Sequence, residues 1–241
     1  MEKTYQKIIS EIKKYFKENN FKKAVIGLSG GIDSSLSAVL TAKAIGSENI
    51  LGILMPESGL TRKENVNDAI ELAKFAKIKY TIIPINKFIQ PFKGVSWKIN
   101  KIAHINTKSR IRANILYNYA NNHNALVIGT SNKTEIALGY FTKYGDGACD
   151  IEIIGSLYKT EVINLSKFLK LPENVITKQP TAELFHGQTD EKELGANYQE
   201  IDKILKTIKN KTSKSKLEKE IIKRINQNKH KTESIPIIKA K

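Results

Sequence analysis

The chain has 241 residues and a formal net charge of +16, from 40 Lys and Arg residues against 24 Asp and Glu residues. With 40% hydrophobic and 27% charged residues, its composition is that of a globular protein and excludes a disordered one. No apolar run approaches the roughly 20 residues of a membrane-spanning helix, and the one cysteine, Cys149, excludes an internal disulfide and favours a reducing cytoplasm.

The periodicity of apolar residues predicts an α/β protein. Helices are predicted over residues 1–18, 36–45, 63–77, 108–121 and 161–169, and again from about 191 to 226; buried strands are predicted over residues 23–28, 50–55, 80–83 and 125–128. This alternation indicates a parallel sheet with right-handed crossovers. Residues 84–107 lack a clear period and are expected to form a lid or an irregular loop. Without repeats or a linker, residues 1–241 are expected to fold as a single domain.

The positive charge is carried mainly by lysine, because arginine occurs only at positions 62, 110, 112 and 224. Proteins that recognise bases usually use arginine for that contact. Much of the lysine falls in amphipathic segments such as residues 201–225, where a solvated helix face accounts for it. We therefore expect neither nucleic acid nor a membrane among the partners.

A glycine-rich loop, Ser29–Ser35, joins the first strand to the second helix. Gly30 and Gly31 allow backbone N–H groups to approach phosphate oxygens closely, and the helix N-terminus adds positive partial charge. Asp33 would repel a bare phosphate, so its position favours a Mg²⁺ ion that bridges phosphate oxygens. No lysine follows the glycines, which excludes a Walker A loop. The alternative is an ordinary glycine turn with Ser and Asp capping a helix.

A second set of polar residues, Gly129–Glu135, follows the fourth strand. In a doubly wound sheet, two adjacent strands at the switch point direct their carboxyl ends into one crevice. Glu135 would then lie near Asp33 and complete a pair of carboxylates for Mg²⁺. The competing interpretation is that Glu135 is simply a favourable charge at a helix start.

The loop Ser29–Ser35 looks like the SGG-x-DS loop of the ATP pyrophosphatase (PP-loop) superfamily. Residues 139–150, GYFTKYGDGACD, sharpen the resemblance to the ammonia-dependent NAD(+) synthetases, which continues through residues 157–161, 179–182 and 187–195 and ends near His230 and Lys231. The resemblance implies an adenine nucleotide alpha hydrolase-like fold, a doubly wound, mostly parallel five-stranded sheet flanked by helices. It also implies a homodimer that binds the dinucleotide near the subunit interface.

The same resemblance implies a ligase that uses Mg²⁺ and ATP to adenylate the nicotinate carboxylate of deamido-NAD, after which ammonia displaces AMP. Asp33 and Glu135 are implied to hold the metal, and Asp146 to handle the ammonia. The residues implied to bind ATP are Gly27, Leu28, Ser29, Gly30, Gly31, Ile32, Asp33, Ser34, Thr130, Lys159 and Thr181. Those implied to bind deamido-NAD are Arg110, Lys143, Asp150, His230 and Lys231.

Several questions stay open at this level. Ser131 and Asn132 stand where many members carry an Asp-His pair, so any role of that histidine does not transfer. Asp146 could act as a base with a raised pKa or only bind ammonium. His230 could be a solvated residue of a basic tail, and Arg112 a surface charge. The helix over residues 108–121 is a candidate dimer face through Ile111, Ile115, Leu116 and Tyr119.

Two other classes of function compete with the ligase. One is a tRNA-modifying member of the same superfamily, which the basic charge favours, although a single cysteine counts against thiolation. The other is a non-enzymatic nucleotide-binding module, which would not need two metal-binding carboxylates. Free ammonia is the expected nitrogen donor, with a separate glutaminase subunit as the alternative.

Overall fold

The sheet of the computed structural model, which describes residues 1–179, 189–208 and 215–240, has five strands. They are β1 (Lys23–Gly27), β2 (Ile50–Leu54), β3 (Lys79–Ile82), β4 (Ala125–Gly129) and β5 (Ile151–Glu152). They lie in the order β3-β2-β1-β4-β5 and every pair is parallel. The chain builds outward from β1 to β3 and then returns to the other side of β1, so the predicted doubly wound α/β fold is confirmed.

Eleven helices are present in the described residues. They are α1 (Glu2–Glu18), α2 (Ile32–Ile45), α3 (Lys63–Phe75), α4 (Asn86–Ile89), α5 (Lys101–His123), α6 (Lys133–Leu138), α7 (Lys159–Phe168), α8 (Glu173–Thr177), α9 (Asp190–Leu194), α10 (Tyr198–Thr207) and α11 (Lys216–Thr232). None of those helices has both the length and the apolar composition needed to cross a bilayer.

Both faces of the central strands are buried, which explains why these strands are almost continuously apolar. Successive side chains point to opposite faces: Ile26 of β1 packs with α1, α2 and α7, whereas its neighbour Val25 packs with α4 and α5. Ile128 and Val127 of β4 divide in the same way. The two layers hold β1 and β4 at the centre of the molecule.

The register of β1 and β4 determines where the polar loops meet. Ile26 pairs with Ile128, so the loop that follows β1 and the segment that follows β4 leave the sheet side by side. The chain reverses its winding direction between these two strands, which is where an open α/β sheet forms a ligand crevice.

The prediction of an irregular segment over residues 84–107 was wrong in part. Residues 86–89 form α4, a 3₁₀ turn covers Gln90–Gly94, and α5 begins at Lys101, seven residues before its predicted start. The Asn100 side chain caps α5 by accepting a hydrogen bond of 2.8 Å from the Ala103 N–H. Ile102, in the first turn of α5, is exposed. The sequence therefore shows no inward-facing apolar stripe that would have predicted the start of this helix.

The candidate dimer face on α5 also needs correction. Ile111 is buried inside this chain, and Ile115, Leu116 and Tyr119 are partly buried against the same core. That face of α5 covers β1 and β4, so much of it is used by the core of this chain.

The packing of α1 provides a test of the core. Phe16 is only 3% exposed within the larger core cluster, so Phe16→Ala should lower the free energy of unfolding by about 3–5 kcal/mol. Urea unfolding followed by circular dichroism measures this loss. Phe92, which is 43% exposed, is the matched control: an equal loss for Phe92→Ala would contradict the docking of α1 through Phe16.

Candidate active site

The loop between β1 and α2 adopts a conformation suited to an anion. Gly30 has a φ of +78°, which favours glycine. The Ser34 hydroxyl donates to the Gly31 carbonyl (3.0 Å), and the Ser29 hydroxyl accepts from the Gly31 N–H (3.2 Å). The first turn of α2 supplies N–H groups without partners inside the helix, so the loop and the helix start together form a concave set of donors.

Gly30 also fixes the loop against α3. A Cβ atom at this position would lie 2.4 Å from the Asn65 carbonyl oxygen, far inside contact distance. On the same side, the Lys178 ammonium lies 2.6 Å from Asp68 of α3 and 3.4 Å from the Gly30 carbonyl. The close approach and the lysine hold the glycine-rich loop between α3 and the chain that leaves α8.

The segment after β4 brings Glu135 to the same place. Asn132 is the N-cap of α6: its side-chain oxygen accepts from the Glu135 N–H (3.0 Å), and a Glu135 carboxylate oxygen accepts from the Asn132 N–H (3.1 Å). The Asn132 amide also donates to Asp33 Oδ1 at 2.9 Å. The interpretation of Glu135 as a helix-start charge therefore agrees with its position, and the same residue also faces Asp33.

Lys159, the first residue of α7, lies between the two carboxylates. It is 1% exposed and forms a close ion pair with Asp33, while its ammonium lies 3.8 Å from Glu135 Oε1. Burial alone would lower the pKa of Lys159, but the carboxylates of Asp33 and Glu135 outweigh it and raise that pKa above its usual range. Lys159 is therefore a permanent positive charge in this site.

The pKa of Glu135 is raised from near 4.5 to about 8. Burial is the largest cause, and the nearby charge of Asp33 adds to it, while Lys159 acts in the opposite direction. The carboxylates of Asp33 and Glu135 thus share the positive charge of Lys159, and a second positive charge would stabilise the ionised form of both.

Asp33 and Glu135 fit the chemistry of Mg²⁺. Carboxylate oxygens are the ligands that this ion prefers, usually one or two of them together with substrate phosphates and water. Among the described residues, no group of three or more His, Cys, Asp and Glu side chains could hold a metal ion. The protein would therefore contribute these two ligands and leave the other positions to a nucleotide and solvent.

Sequence reasoning missed the residues of α9 and α10 that form the next wall of the site. Asp190 accepts hydrogen bonds from Tyr198 (3.0 Å) and Tyr140 (3.4 Å), and Tyr140 also donates to Glu193. Burial raises the pKa of Asp190, an effect that Lys159 and the Tyr198 hydroxyl oppose. Asp190 and Glu193 belong to the 187–195 motif noted above, but nothing in the sequence placed them at this site.

Asp202 of α10 was also missed, and it holds the start of α7. It is 2% exposed and accepts from the Thr134 hydroxyl, from the Thr160 N–H (2.9 Å) and from the Thr160 hydroxyl (2.8 Å). The Thr134 hydroxyl in turn accepts from the Lys159 N–H at 3.0 Å. The only sequence signal was an acidic residue within the amphipathic segment 198–207, and apolar periodicity does not identify the hydrogen-bond partners of such a residue.

Asp146 lies in the tight loop after α6. One of its oxygens, Oδ1, accepts from the Ser109 hydroxyl and from the Thr142 N–H (3.0 Å), and its own N–H donates to Ser109 Oγ at 2.8 Å. The reciprocal bonds with Ser109 of α5 fix the backbone and the carboxylate of Asp146 together.

Four of the residues predicted to bind deamido-NAD form a network at the end of α11. Arg110 donates to the Lys143 carbonyl at 3.3 Å, and Lys143 donates to the His230 carbonyl. Lys231 donates to the carbonyls of Gly139 (2.8 Å) and Phe141 (2.9 Å). The fifth, Asp150, lies beside β4, where its carboxylate accepts from the Val127 N–H at 2.7 Å.

A cavity of about 640 Å³ opens at these strand ends. Among its lining residues are the predicted Gly27, Leu28, Ser29, Gly31, Ile32, Asp33, Ser34, Thr130, Glu135, Asp146, Lys159 and Lys231. Of the other described candidates, Gly30, Arg110, Lys143, Asp150 and His230 are outside the lining. Thr181 falls outside the described residues.

Arg112 corrects another sequence interpretation. It is not a surface charge: it is partly buried, lines the cavity and donates from Nε to the Met55 carbonyl at 3.0 Å. Its contact fixes the carboxyl end of β2 at the wall of the cavity.

A doubly wound parallel sheet with a glycine-rich phosphate loop at its switch point, flanked by two carboxylates and a lysine, defines the class of PP-loop nucleotide-binding enzymes. Comparison with known proteins narrows this class. The family model for NAD synthase matches residues 4–236. The chain belongs to the NAD synthase family.

Individual relatives agree over the full length. The chain is 41% identical to the NH(3)-dependent NAD(+) synthetase of Archaeoglobus fulgidus, covering 100% of this chain and 98% of the relative. Among solved structures, the NMN synthetase of Francisella tularensis superposes with a TM-score of 0.91 at 34% identity, covering 98% of both chains. The NH3-dependent NAD synthetase of Campylobacter jejuni, solved with nitrate, has a TM-score of 0.83 at 36% identity, covering 99% and 98%. The predicted family and the prediction of a ligase are confirmed.

The raised pKa of Glu135 predicts a loss of stability with rising pH in the metal-free protein. Between about pH 4.5 and pH 8 the folded state holds a proton on Glu135 that the unfolded state has released. This contribution is complete below the unfolded pKa and is lost as the pH rises through the folded pKa. Glu135→Gln should therefore flatten the decline, measured by urea unfolding with a chelator at about pH 5.5 and about pH 8.

Glu200 offers the matched control, because it occupies the same position in the capping box of α10, where Asn197 is the N-cap. Glu200→Gln should keep the wild-type pH dependence. If Glu200→Gln and Glu135→Gln gave the same slope, the burial of Glu135 next to Asp33 would not be the cause.

Proposed function

We propose that the protein uses Mg-ATP to adenylate the nicotinate carboxylate of deamido-NAD and then amidates it with ammonia, giving NAD, AMP and pyrophosphate. The observation that carries this proposal is the convergence of Asp33, Glu135 and Lys159 beside the glycine-rich loop. A site that only held a nucleotide would not need two carboxylates around a buried lysine.

In the first step, a carboxylate oxygen of the substrate attacks the α-phosphorus of ATP. The bond between the α-phosphorus and its bridging oxygen to the β-phosphate breaks, and pyrophosphate leaves. The N–H groups of the glycine-rich loop and the start of α2 bind the phosphates, and Lys159 neutralises charge that develops on them. When bound to Asp33 and Glu135, Mg²⁺ supplies further charge neutralisation on the phosphate oxygens.

In the second step, the bound ammonium loses one proton to solvent, the resulting ammonia attacks the acyl carbon, the carbon–oxygen bond to AMP breaks, and the nitrogen releases a second proton to solvent. Asp146 binds the incoming ammonium by charge: Ser109 and the Thr142 N–H hold Oδ1 and leave Oδ2 for the ligand. Asp146 lines the same cavity as Lys159 and Asp33, which supports a common reaction chamber. ATP is also bound by Thr130 and Thr181, and deamido-NAD by Arg110, Lys143, Asp150, His230 and Lys231.

A second substrate is favoured by one comparison. The similarity to the Francisella tularensis protein, an NMN synthetase, extends over nearly the whole of both chains. An enzyme of that kind would amidate the mononucleotide rather than the dinucleotide with the same two steps. The position of Arg110, Lys143, Asp150 and His230 outside the cavity lining is compatible with a substrate that lacks the second nucleotide.

The assay that tests the proposal supplies Mg-ATP and ammonium with either deamido-NAD or nicotinate mononucleotide. We expect NAD and AMP to form in equal amounts with deamido-NAD, and a higher kcat/KM for this substrate than for the mononucleotide. The reverse preference would establish the second candidate. AMP release that depends on added tRNA, without either amide product, would contradict both and support the tRNA-modifying alternative.

Asp33→Asn is the decisive variant in the same assay. It removes the charge that pairs with Lys159, and turnover should fall by about 100-fold or more, as is typical when a group that stabilises developing charge is lost. Glu57→Gln is the matched control, since Glu57 pairs with the buried Lys108 outside the cavity lining at a similar exposure, 17% against 18% for Asp33, and should lose far less activity.

We propose that the chain acts as a single-domain cytoplasmic homodimer. The face of α5 considered above packs largely against the core of this chain. Large apolar side chains are exposed nearby, between α4 and the first turn of α5: Phe88, Phe92, Trp97 and Ile102. Sedimentation velocity should give a dimer, and Trp97→Glu should shift it to a monomer without lowering its melting temperature. A wild-type monomer at assay concentration would contradict this assembly.

A further inference from the structure

The proposed reaction assigns no role to Asn132, although this residue contacts both Asp33 and Glu135. Its side chain is fully buried and bridges two elements: the amide oxygen caps α6 at the Glu135 N–H, and the amide nitrogen donates to Asp33 Oδ1. Its own N–H binds a Glu135 carboxylate oxygen. One neutral residue therefore contacts both carboxylates of the expected metal pair.

We propose that Asn132 is a positioning residue that fixes Asp33 and Glu135 relative to each other for metal binding. The inference rests on the proposed function, because it assigns a role toward the expected Mg²⁺. Asp33 belongs to α2 and Glu135 to α6, so their separation depends on contacts across β1 and β4. An asparagine amide can accept from one element and donate to the other, and it adds no charge to a buried acidic pair.

Lys159 cannot perform this role alone. Its ammonium also holds Asp33 and lies near Glu135, but the proposed reaction requires it to bind phosphates as well. A cation that exchanges partners does not keep two carboxylates in a constant geometry. Asn132 keeps its contacts to both whichever anion Lys159 binds, since its amide competes for no phosphate.

Helix capping by itself does not require an asparagine here. In α11 the same type of capping box is made by Ser215 and Glu218, so a serine hydroxyl is sufficient to cap a helix of this chain. What a serine at position 132 would lack is the reach from α6 to Asp33. This difference separates the positioning role from the capping role.

The test compares Asn132→Ser with Asn197→Ser, the corresponding N-cap substitution in α10. Both keep a capping hydroxyl, and only the first removes a contact to Asp33. Manganese binding, followed by electron paramagnetic resonance with a non-hydrolysable ATP analogue present, should weaken about 10- to 100-fold in Asn132→Ser, as when other supports of metal ligands are removed. Asn197→Ser should bind Mn²⁺ as wild type does.

Melting temperatures of both variants control for folding, and Asn132→Thr repeats the test with a second capping hydroxyl. In steady-state assays, the KM for Mg²⁺ should rise in Asn132→Ser while the KM for ammonium stays unchanged. Wild-type Mn²⁺ affinity in Asn132→Ser would overturn the inference and leave the proposed function intact. Failure of the wild-type protein itself to bind Mn²⁺ with the analogue would overturn the metal role of Asp33 and Glu135, and the inference with it.

Discussion

The buried ion pair between Lys159 and Asp33, with Glu135 close by, is the interaction on which the arrangement of the site depends. Its three members come from the first turns of α2, α6 and α7. The positive ends of three helix dipoles therefore meet at one point. A lysine at a helix start is normally unfavourable, and here the two carboxylates offset both the dipole and the loss of hydration. Removal of either type of charge would leave the other buried without compensation.

Around these charges, neutral and acidic side chains of later segments hold the helix starts in place. Asp202 of α10 joins the beginning of α7 to Thr134 of α6, and Asn132 joins α6 to α2. The residues that contact reactants and the residues that support them thus come from distant parts of the sequence. This separation explains how a site formed by short loops can keep a defined geometry: each loop is fixed by a helix that packs elsewhere in the core.

The sequence was sufficient for those parts of the site that lie on one continuous segment. The strand, the glycine-rich loop and the following helix were predictable because turn chemistry and periodicity are local, and the pairing of Asp33 with Glu135 followed from the topology of a doubly wound sheet. Other contacts between distant segments were not predictable. The two residues of β5 are too few to show a period, and Asn132 looked like a departure from a familiar motif although its spacing to Glu135 is that of a capping box.

The surroundings of the charged side chains were equally unpredictable from the sequence. Arg112 and Arg110 are two residues apart on one helix, yet Arg112 reaches the cavity wall and Arg110 is exposed. Which of the two faces inward depends on the rotation of α5 against the sheet, and Ile111 between them is part of the core. Apolar periodicity alone does not distinguish the two arginines, whereas packing decides which one lines the cavity.

The approach of Gly30 to Asn65 has a consequence for how substitutions in the loop should be interpreted. The backbone of Gly30 is left-handed, and the Asn65 carbonyl occupies the space that a methyl group would need. The fold by itself therefore requires glycine at position 30. At Gly31 the backbone is extended and the nearest obstacle to a Cβ atom is the Ser29 hydroxyl at 3.3 Å, so a small shift of that hydroxyl would accommodate a small side chain. In a saturation mutagenesis screen, intolerance to substitution at position 30 would therefore indicate a requirement of the fold, and intolerance at position 31 would indicate a requirement of ligand binding.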